Sequence, residues 1–429
     1  MKPDSTLELP TAREAAMKSA LKTILILTAA ALMSAGCGGG ETVEEEEPPA
    51  VVEPAAEEVD SGDFEPDPLL ESDVVAWVYE GNEGGKPRLL TVDEGLLHAV
   101  IHQSGLRCLD AQAGELLWTS TLEGNPLVAD GAVYAFDSPG NGPADLHKLE
   151  AATGRELWSR DPDFIERYNM VHLNDRLYLG VNLEMVVGDV EPDTRISIID
   201  PVSGELTRQV EVKLVPRRAF RLFTADGALY MEGDDLHRLR AENLRRSWSW
   251  EPPGERLDAH VGFAGGLAVI SDRRLIILDA AGGIRAELEL TTDGGNLSAH
   301  GETIYLGQDL DEGQRHQLSA VNVDGEVIWS KAFPGRIDSL AHSGEALYAV
   351  GVREVEGVWG YIDPVLAQYR EAGQDIATPT LVYSLYELDP ASGERLRRFD
   401  TDFPLSNLLA AENHLYLGAD DGRVICLKP

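Results

Sequence analysis

Leu109-Asp110-Ala111-Gln112-Ala113-Gly114-Glu115-Leu116-Leu117-Trp118 reads as the end of one strand, a tight turn and the start of the next. Asp110 can cap the turn with its carboxylate, and Gly114 tolerates the left-handed backbone that closes it. The apolar run after it ends on a large aromatic. The same pattern returns as Leu149-Glu150 through Gly154 to Trp158, and as Ile199-Asp200 through Gly204-Glu205 with Arg208 in the aromatic slot. Leu278-Asp279 leads through Gly283 to Glu287, and Leu388-Asp389 through Gly393 to Arg397. Asn322-Val323-Asp324-Gly325 is one residue shorter and precedes Trp329, while a degenerate copy at 240–243 precedes Trp248.

Upstream of each turn lies a strand that usually carries an apolar-Tyr pair: Val133-Tyr134, Leu177-Tyr178, Leu229-Tyr230, Ile304-Tyr305, Leu347-Tyr348 and Leu415-Tyr416. Leu97-His98 and Leu267-Ala268 depart from it. A period of about 40 residues, short alternating strands and few helical segments predict an all-β fold: a β-propeller of four-stranded antiparallel blades. Third strands end at Leu109, Leu149, Ile199, Leu239, Leu278, Val321, Leu388 and Leu427, which predicts eight blades. The last copy has no fourth strand after it. Val74-Val75-Ala76-Trp77-Val78-Tyr79 looks like a fourth strand without a blade, and pairing it with the last copy would close the ring. Seven blades with an odd leading strand is the rival. Trp77, Trp118, Trp158, Trp248 and Trp329 are read as inter-blade packing, because a ligand platform would not recur blade after blade.

The front of the chain has another character. Residues 24–35 are uncharged and mostly apolar, Lys18 and Lys22 precede them, and Ser34, Ala35 and Gly36 are small. This is a secretory h-region with a cleavage site, too short for a spanning helix. Met17-Lys18 makes a cleaner start than Met1, since Asp4, Glu8 and Glu14 stand ahead of the basic residues. The placement of Cys37 resembles the lipobox of bacterial lipoproteins, with Ser34 where that family usually has Leu. The resemblance implies cleavage after Gly36, acylation of Cys37, export and a membrane anchor. An ordinary signal peptide with an incidental cysteine is the alternative. The expected layout is a signal peptide over 1–36, an acidic tether over 37–73 and the propeller over 74–429. The tether is rich in Pro, Ala, Glu and Asp, and can support no core. It serves as a spacer or, alternatively, as an acidic binding tail.

The formal net charge of -38 and the lack of a Lys/Arg-rich block argue against nucleic acid as a partner. With three cysteines a multi-disulfide scaffold is excluded; Cys108 and Cys426, in matching contexts, either pair or stay as buried free thiols. The ten histidines show no close metal-ligand spacing, so no metal and no cofactor is expected. Asp234-Asp235 and Asp420-Asp421-Gly422 read as turns.

The Leu-Asp-x-x-x-Gly-Glu-x-x-Trp pattern resembles the repeat of the pyrroloquinoline-quinone-like propellers. Many dehydrogenases of that superfamily hold their quinone against adjacent cysteines beside a metal ion. This chain has no adjacent cysteine pair, and the resemblance implies fold rather than that activity. A lipid-anchored, eight-bladed propeller is similar to the outer-membrane lipoproteins that scaffold β-barrel insertion. That likeness implies a scaffold or protein-interaction role at the outer membrane, facing the periplasm. A ligand-binding or sensor lipoprotein and an enzyme with an unrecognised site are the alternatives. The main departure from the repeat, near 350–381, contains Arg353, Trp359, Tyr361 and Tyr369, residue types suited to partner binding. A merely decorative insertion is the plain alternative.

Overall fold

Eight four-stranded antiparallel sheets form the ring. The computed structural model describes residues 69–428 apart from 82–84, 103, 123–125, 138–143, 162–167, 183–192, 214–219, 234, 255–256, 293, 311–314, 344 and 356–379. Blade 1 is a meander of Pro87–Asp93, Leu96–Ile101, Gly105–Asp110 and Leu116–Ser120, running from the centre outward. Blades 2 to 7 repeat it over 127–160, 168–213, 221–250, 259–289, 296–334 and 336–401. Each innermost strand contacts that of the next blade all the way round.

Blade 8 takes Leu405–Ala411, His414–Ala419 and Val424–Leu427 from the end of the chain and Val75–Tyr79 from its front. Trp77 pairs with Cys426, Val78 with Ile425 and Tyr79 with Val424. The Lys428 amide donates to the Val74 carbonyl at 2.8 Å. The rival of seven blades and a stray strand is therefore excluded. Ahead of residue 74, Leu69–Glu71 form a 3-10 turn whose Leu69 is buried between blades 7 and 8.

The hydrophobic core lies between blades. One cluster joins Leu97, Ala99 and Leu109 of blade 1 to Tyr416, Val424 and Cys426 of blade 8. Since each sheet buries its faces only against its neighbours, the blades stabilise one another and not themselves.

A single device recurs at these seams. The indole N–H of the fourth-strand tryptophan donates to the carbonyl just after the first acidic residue of the turn in the next blade. Trp77 reaches Ala111 at 3.1 Å, Trp118 Ala151 at 2.8 Å, Trp158 Pro201 at 3.2 Å, Trp248 Ala280 at 3.1 Å and Trp329 Pro390 at 2.8 Å. The ring lies against the turn glycine. At Gly154, with φ of +68°, an added Cβ would sit 2.7 Å from the Trp118 ring. The Tyr-slot residue of the same blade packs beside the indole, at 6.0 Å for Trp77 and Tyr416 and 5.9 Å for Trp118 and His98. Its polar end joins the same carbonyl: Tyr416 Oη donates to Ala111 at 3.2 Å, and His98 Nε2 lies 3.2 Å from the Ala151 oxygen.

Two slots differ from the sequence-based assignment or its simplest form. In blade 5 the turn closes one residue early, with the Gly282 amide bonded to the Asp279 carbonyl at 3.0 Å. Ala286, paired with Ile277, consequently takes the place expected for Glu287. In blade 4 the turn closes at Leu244, in the left-handed region at φ 59°. Leu244 is buried against Tyr178 and Ile198, so a leucine on the turn fills the volume that Arg208 of blade 3, in place of a tryptophan, leaves open. Cys108 and Cys426 are both free and buried. Each sits inside its own aromatic row, Cys108 paired with His98 and Trp118, Cys426 with Tyr416 and Trp77. Burial pushes both thiols up to about 12, which keeps them protonated and unreactive.

Candidate functional site

Topological closure creates a site. In blades 1 to 7 the third and fourth strands are joined by the turn that docks on the preceding blade. The fourth strand of blade 8 comes from the front of the chain, so no such turn joins it to the third. The slot of blade 7, Arg397, therefore has no such turn laid over it; the short turn Leu69–Glu71 packs against its strand instead, with Asp73 nearby. Arg397 folds back on its own third strand, with Nε 2.6 Å from Glu387 Oε2, and this bond raises its pKa. Leu69, Phe399 and Leu415 fill the deeper part of the seam.

What remains is an open cavity of about 620 Å³ between blades 7 and 8, lined among others by Tyr348, Leu396, Leu415, Glu345, Glu387 and Asp389. Its floor is apolar and its rim is acidic. Burial, with Glu387 close by, raises the pKa of the Tyr348 phenol, so its hydroxyl stays a neutral hydrogen-bonding group. Arg397 neutralises only one of the carboxylates. Leu396 is 54 % exposed on the outer edge strand Arg395–Thr401. The site can accept a side chain with an apolar stem and a cationic head. Similar exposed residues stand near the start of other outer strands: Leu116, Leu157, Leu206, Ile284 and Ile328. They give the circumference an apolar rim beside unpaired strand edges.

Of the residues singled out in the insertion, Trp359, Tyr361 and Tyr369 lie outside the described residues, as does Cys37. Arg353 is described, on the second strand of blade 7. Its Nη2 lies 3.5 Å from Oδ2 of Asp400, a carboxylate with no solvent exposure. Arg398 holds the same carboxylate at 2.8 and 2.9 Å and Ser384 donates to it at 2.7 Å. Arg353 thus borders a buried ionic network. The structure also gathers a trio that sequence spacing did not reveal: Asp137, Asp145 and His147, brought together across the hairpin between the second and third strands of blade 2.

A family model described as "Outer membrane protein assembly factor BamB" matches residues 66–283, just over half of the chain. The chain belongs to this family. No curated protein matches it by sequence. Among solved structures, BamB from Moraxella catarrhalis superposes with a TM-score of 0.56 at 16% identity, covering 83% of this chain and 97% of that one. The computationally designed Ika8 protein gives 0.59 at 14% identity, covering 81% and 98%. The quinohemoprotein alcohol dehydrogenase of Comamonas testosteroni gives 0.53 at 13% identity, covering 82% and 76%. A designed protein, an assembly factor and a dehydrogenase share this architecture, and at such identities the likeness establishes fold alone.

Proposed function

We propose that this protein is a lipid-anchored scaffold of the cell envelope that binds other proteins, with outer-membrane protein assembly as its setting. The notch between blades 7 and 8 is the observation that carries the reading. It combines apolar floor, acidic rim and an adjacent open strand edge. A partner segment could add a strand along Arg395–Thr401 and insert a lysine or arginine between Glu345 and Asp389. Family membership supports the assembly setting, and the lipobox-like placement of Cys37 supports an anchor on the periplasmic side of the outer membrane. An acidic tether of some tens of residues would let the disc reach partners away from the bilayer.

The test is affinity capture from detergent-solubilised envelope, with the wild type and with Glu345→Lys/Leu396→Asp as bait. The expected result is recovery of barrel-assembly components by the wild type and their loss with the variant, at unchanged thermal stability. Equal recovery by both baits would remove the notch from the interaction. Capture of no protein, with a specific sugar or peptide bound instead, would favour the sensor reading.

A further inference from the structure

The hairpin of blade 2 gathers three potential metal ligands. Strand Ala132–Phe136 leads into Asp137, and Asp145 leads into strand Leu146–Glu150. The Asp145 amide donates to Asp137 Oδ1 at 2.9 Å, which fixes that carboxylate and leaves Oδ2 available. One ligand atom from each of Asp137, Asp145 and His147 lies within 4.8 Å of the others.

The state of His147 is the independent clue. Its Nδ1 is 2.8 Å from Glu156 Oε2, a carboxylate that can only accept when ionised, so the proton of the neutral ring sits on Nδ1. Nε2 then offers a lone pair. That nitrogen is sealed from solvent and has no hydrogen-bond partner among the described residues. It is 4.0 Å from Asp137 Oδ2, too far for a hydrogen bond. A carboxylate behind the distal nitrogen, fixing tautomer and ring plane, is the usual support of a metal-bound histidine.

We propose that Asp137, Asp145 and His147 form a site for a divalent transition ion, Zn²⁺ by the chemistry of the set, with Glu156 as the positioning residue behind His147. One imidazole and two carboxylates suit Zn²⁺ better than Ca²⁺ or Mg²⁺, which take oxygen ligands alone. Bonds of about 2.0–2.2 Å in tetrahedral geometry put ligand atoms roughly 3.3–3.6 Å apart, so the trio must close by about an ångström. Both aspartates are exposed and flank a hairpin, which makes that closure a matter of side-chain rotation. Three protein ligands leave one position for water or for a group from a partner.

The experiment is calorimetric titration of the metal-free full-length protein with ZnCl₂, with Co²⁺ absorption as a spectroscopic readout of coordination. The wild type should bind one equivalent with a tetrahedral Co²⁺ spectrum. His147→Gln and Asp145→Asn should each abolish that spectrum and weaken Zn²⁺ binding at least tenfold. Glu156→Gln should weaken it about 10–100-fold while retaining the spectrum. The melting temperatures of the metal-free variants, expected to match the wild type, separate loss of ligands from loss of fold. Absence of a stoichiometric Zn²⁺ site in the wild type, or binding that ignores His147→Gln, would overturn the proposal. The cluster would then be exposed carboxylates beside an ion-paired imidazole. Unchanged affinity in Glu156→Gln would remove the positioning role.

Discussion

At the scale of single residues, seam tryptophans and turn glycines are one unit. Gly131 and Gly154 have nearly the same backbone, with φ of +66° and +68°, but different surroundings. Nothing lies within 4 Å of a Cβ built on Gly131, whereas one on Gly154 meets Trp118 at 2.7 Å. Gly131→Ala should therefore cost only the left-handed strain, about 1–2 kcal/mol. Gly154→Ala adds overpacking and should cost roughly 2–5 kcal/mol in denaturant unfolding; equal costs would show that the indole is not held against the turn. His260 makes a second test. It stacks on Phe223 at a centroid distance of 3.8 Å, and burial, aided by Arg221, lowers its pKa to about 4. The unfolded chain takes up this proton first as pH falls from about 6.5, so the stability present above that pH is lost down to about pH 4. The slope is at most about 1.4 kcal/mol per pH unit. The stability gap between the wild type and His260→Gln should narrow between pH 7 and 5; a constant gap would mean that the folded protein accepts the charged ring.

At the scale of elements, blade 7 shows what its strands carry beyond the repeat. Asp400, on the fourth strand, is fully buried with Arg398 bound through two hydrogen bonds, and Ser384 completes its shell. Asp400→Ala would remove both hydrogen bonds that Arg398, itself only 6% exposed, makes to this carboxylate, and should cost about 3–5 kcal/mol. The double change Asp400→Ala/Arg398→Met should recover much of that loss in thermal unfolding, and failure to recover would mean that the pair is worth more than its desolvation. Elements also mark where sequence reading succeeds. Repeated Asp-to-Gly spacing was enough for strand ends, turns and blade count, because the same carboxylate and the same left-handed position recur each time. It misplaced one slot, since adjacent Gly282 and Gly283 are alike to a pattern while only hydrogen bonding selects Gly282. It left Cys108 and Cys426 open, because pairing depends on which row each thiol occupies. It missed the cluster at His147, whose partners meet only through hairpin register. The notch of blade 7 was equally hidden: no local motif encodes it, and it follows from where the fourth strand of blade 8 originates.

At the scale of the molecule, the ring depends on its one non-local sheet. The seam from blade 8 to blade 1 has the full device: Trp77 donates to Ala111, packs on Gly114 and is flanked by Tyr416. The seam from blade 7 to blade 8 has neither tryptophan nor a turn from between third and fourth strands, and relies on the Leu69–Glu71 turn and the Leu69 cluster. Closure is thus strong on one side of blade 8 and open on the other. If strand Val75–Tyr79 were an appendage, Trp77→Ala would be nearly silent. As the outer strand of a load-sharing ring, it should cost about 3–5 kcal/mol, like Trp118→Ala in an ordinary seam. The two variants should differ in a consequence beyond stability. Loosening Trp77 frees the edge of Val424–Leu427, an apolar strand with buried Val424, Ile425 and Cys426, and such an edge invites pairing with other chains. Trp77→Ala should therefore aggregate at temperatures below its unfolding midpoint, as followed by light scattering, while Trp118→Ala, whose blade is continuous in sequence, should stay dispersed until it unfolds. Matching scattering profiles would mean that the non-local sheet opens no more readily than a local one, and the ring would then be held by its seams alone.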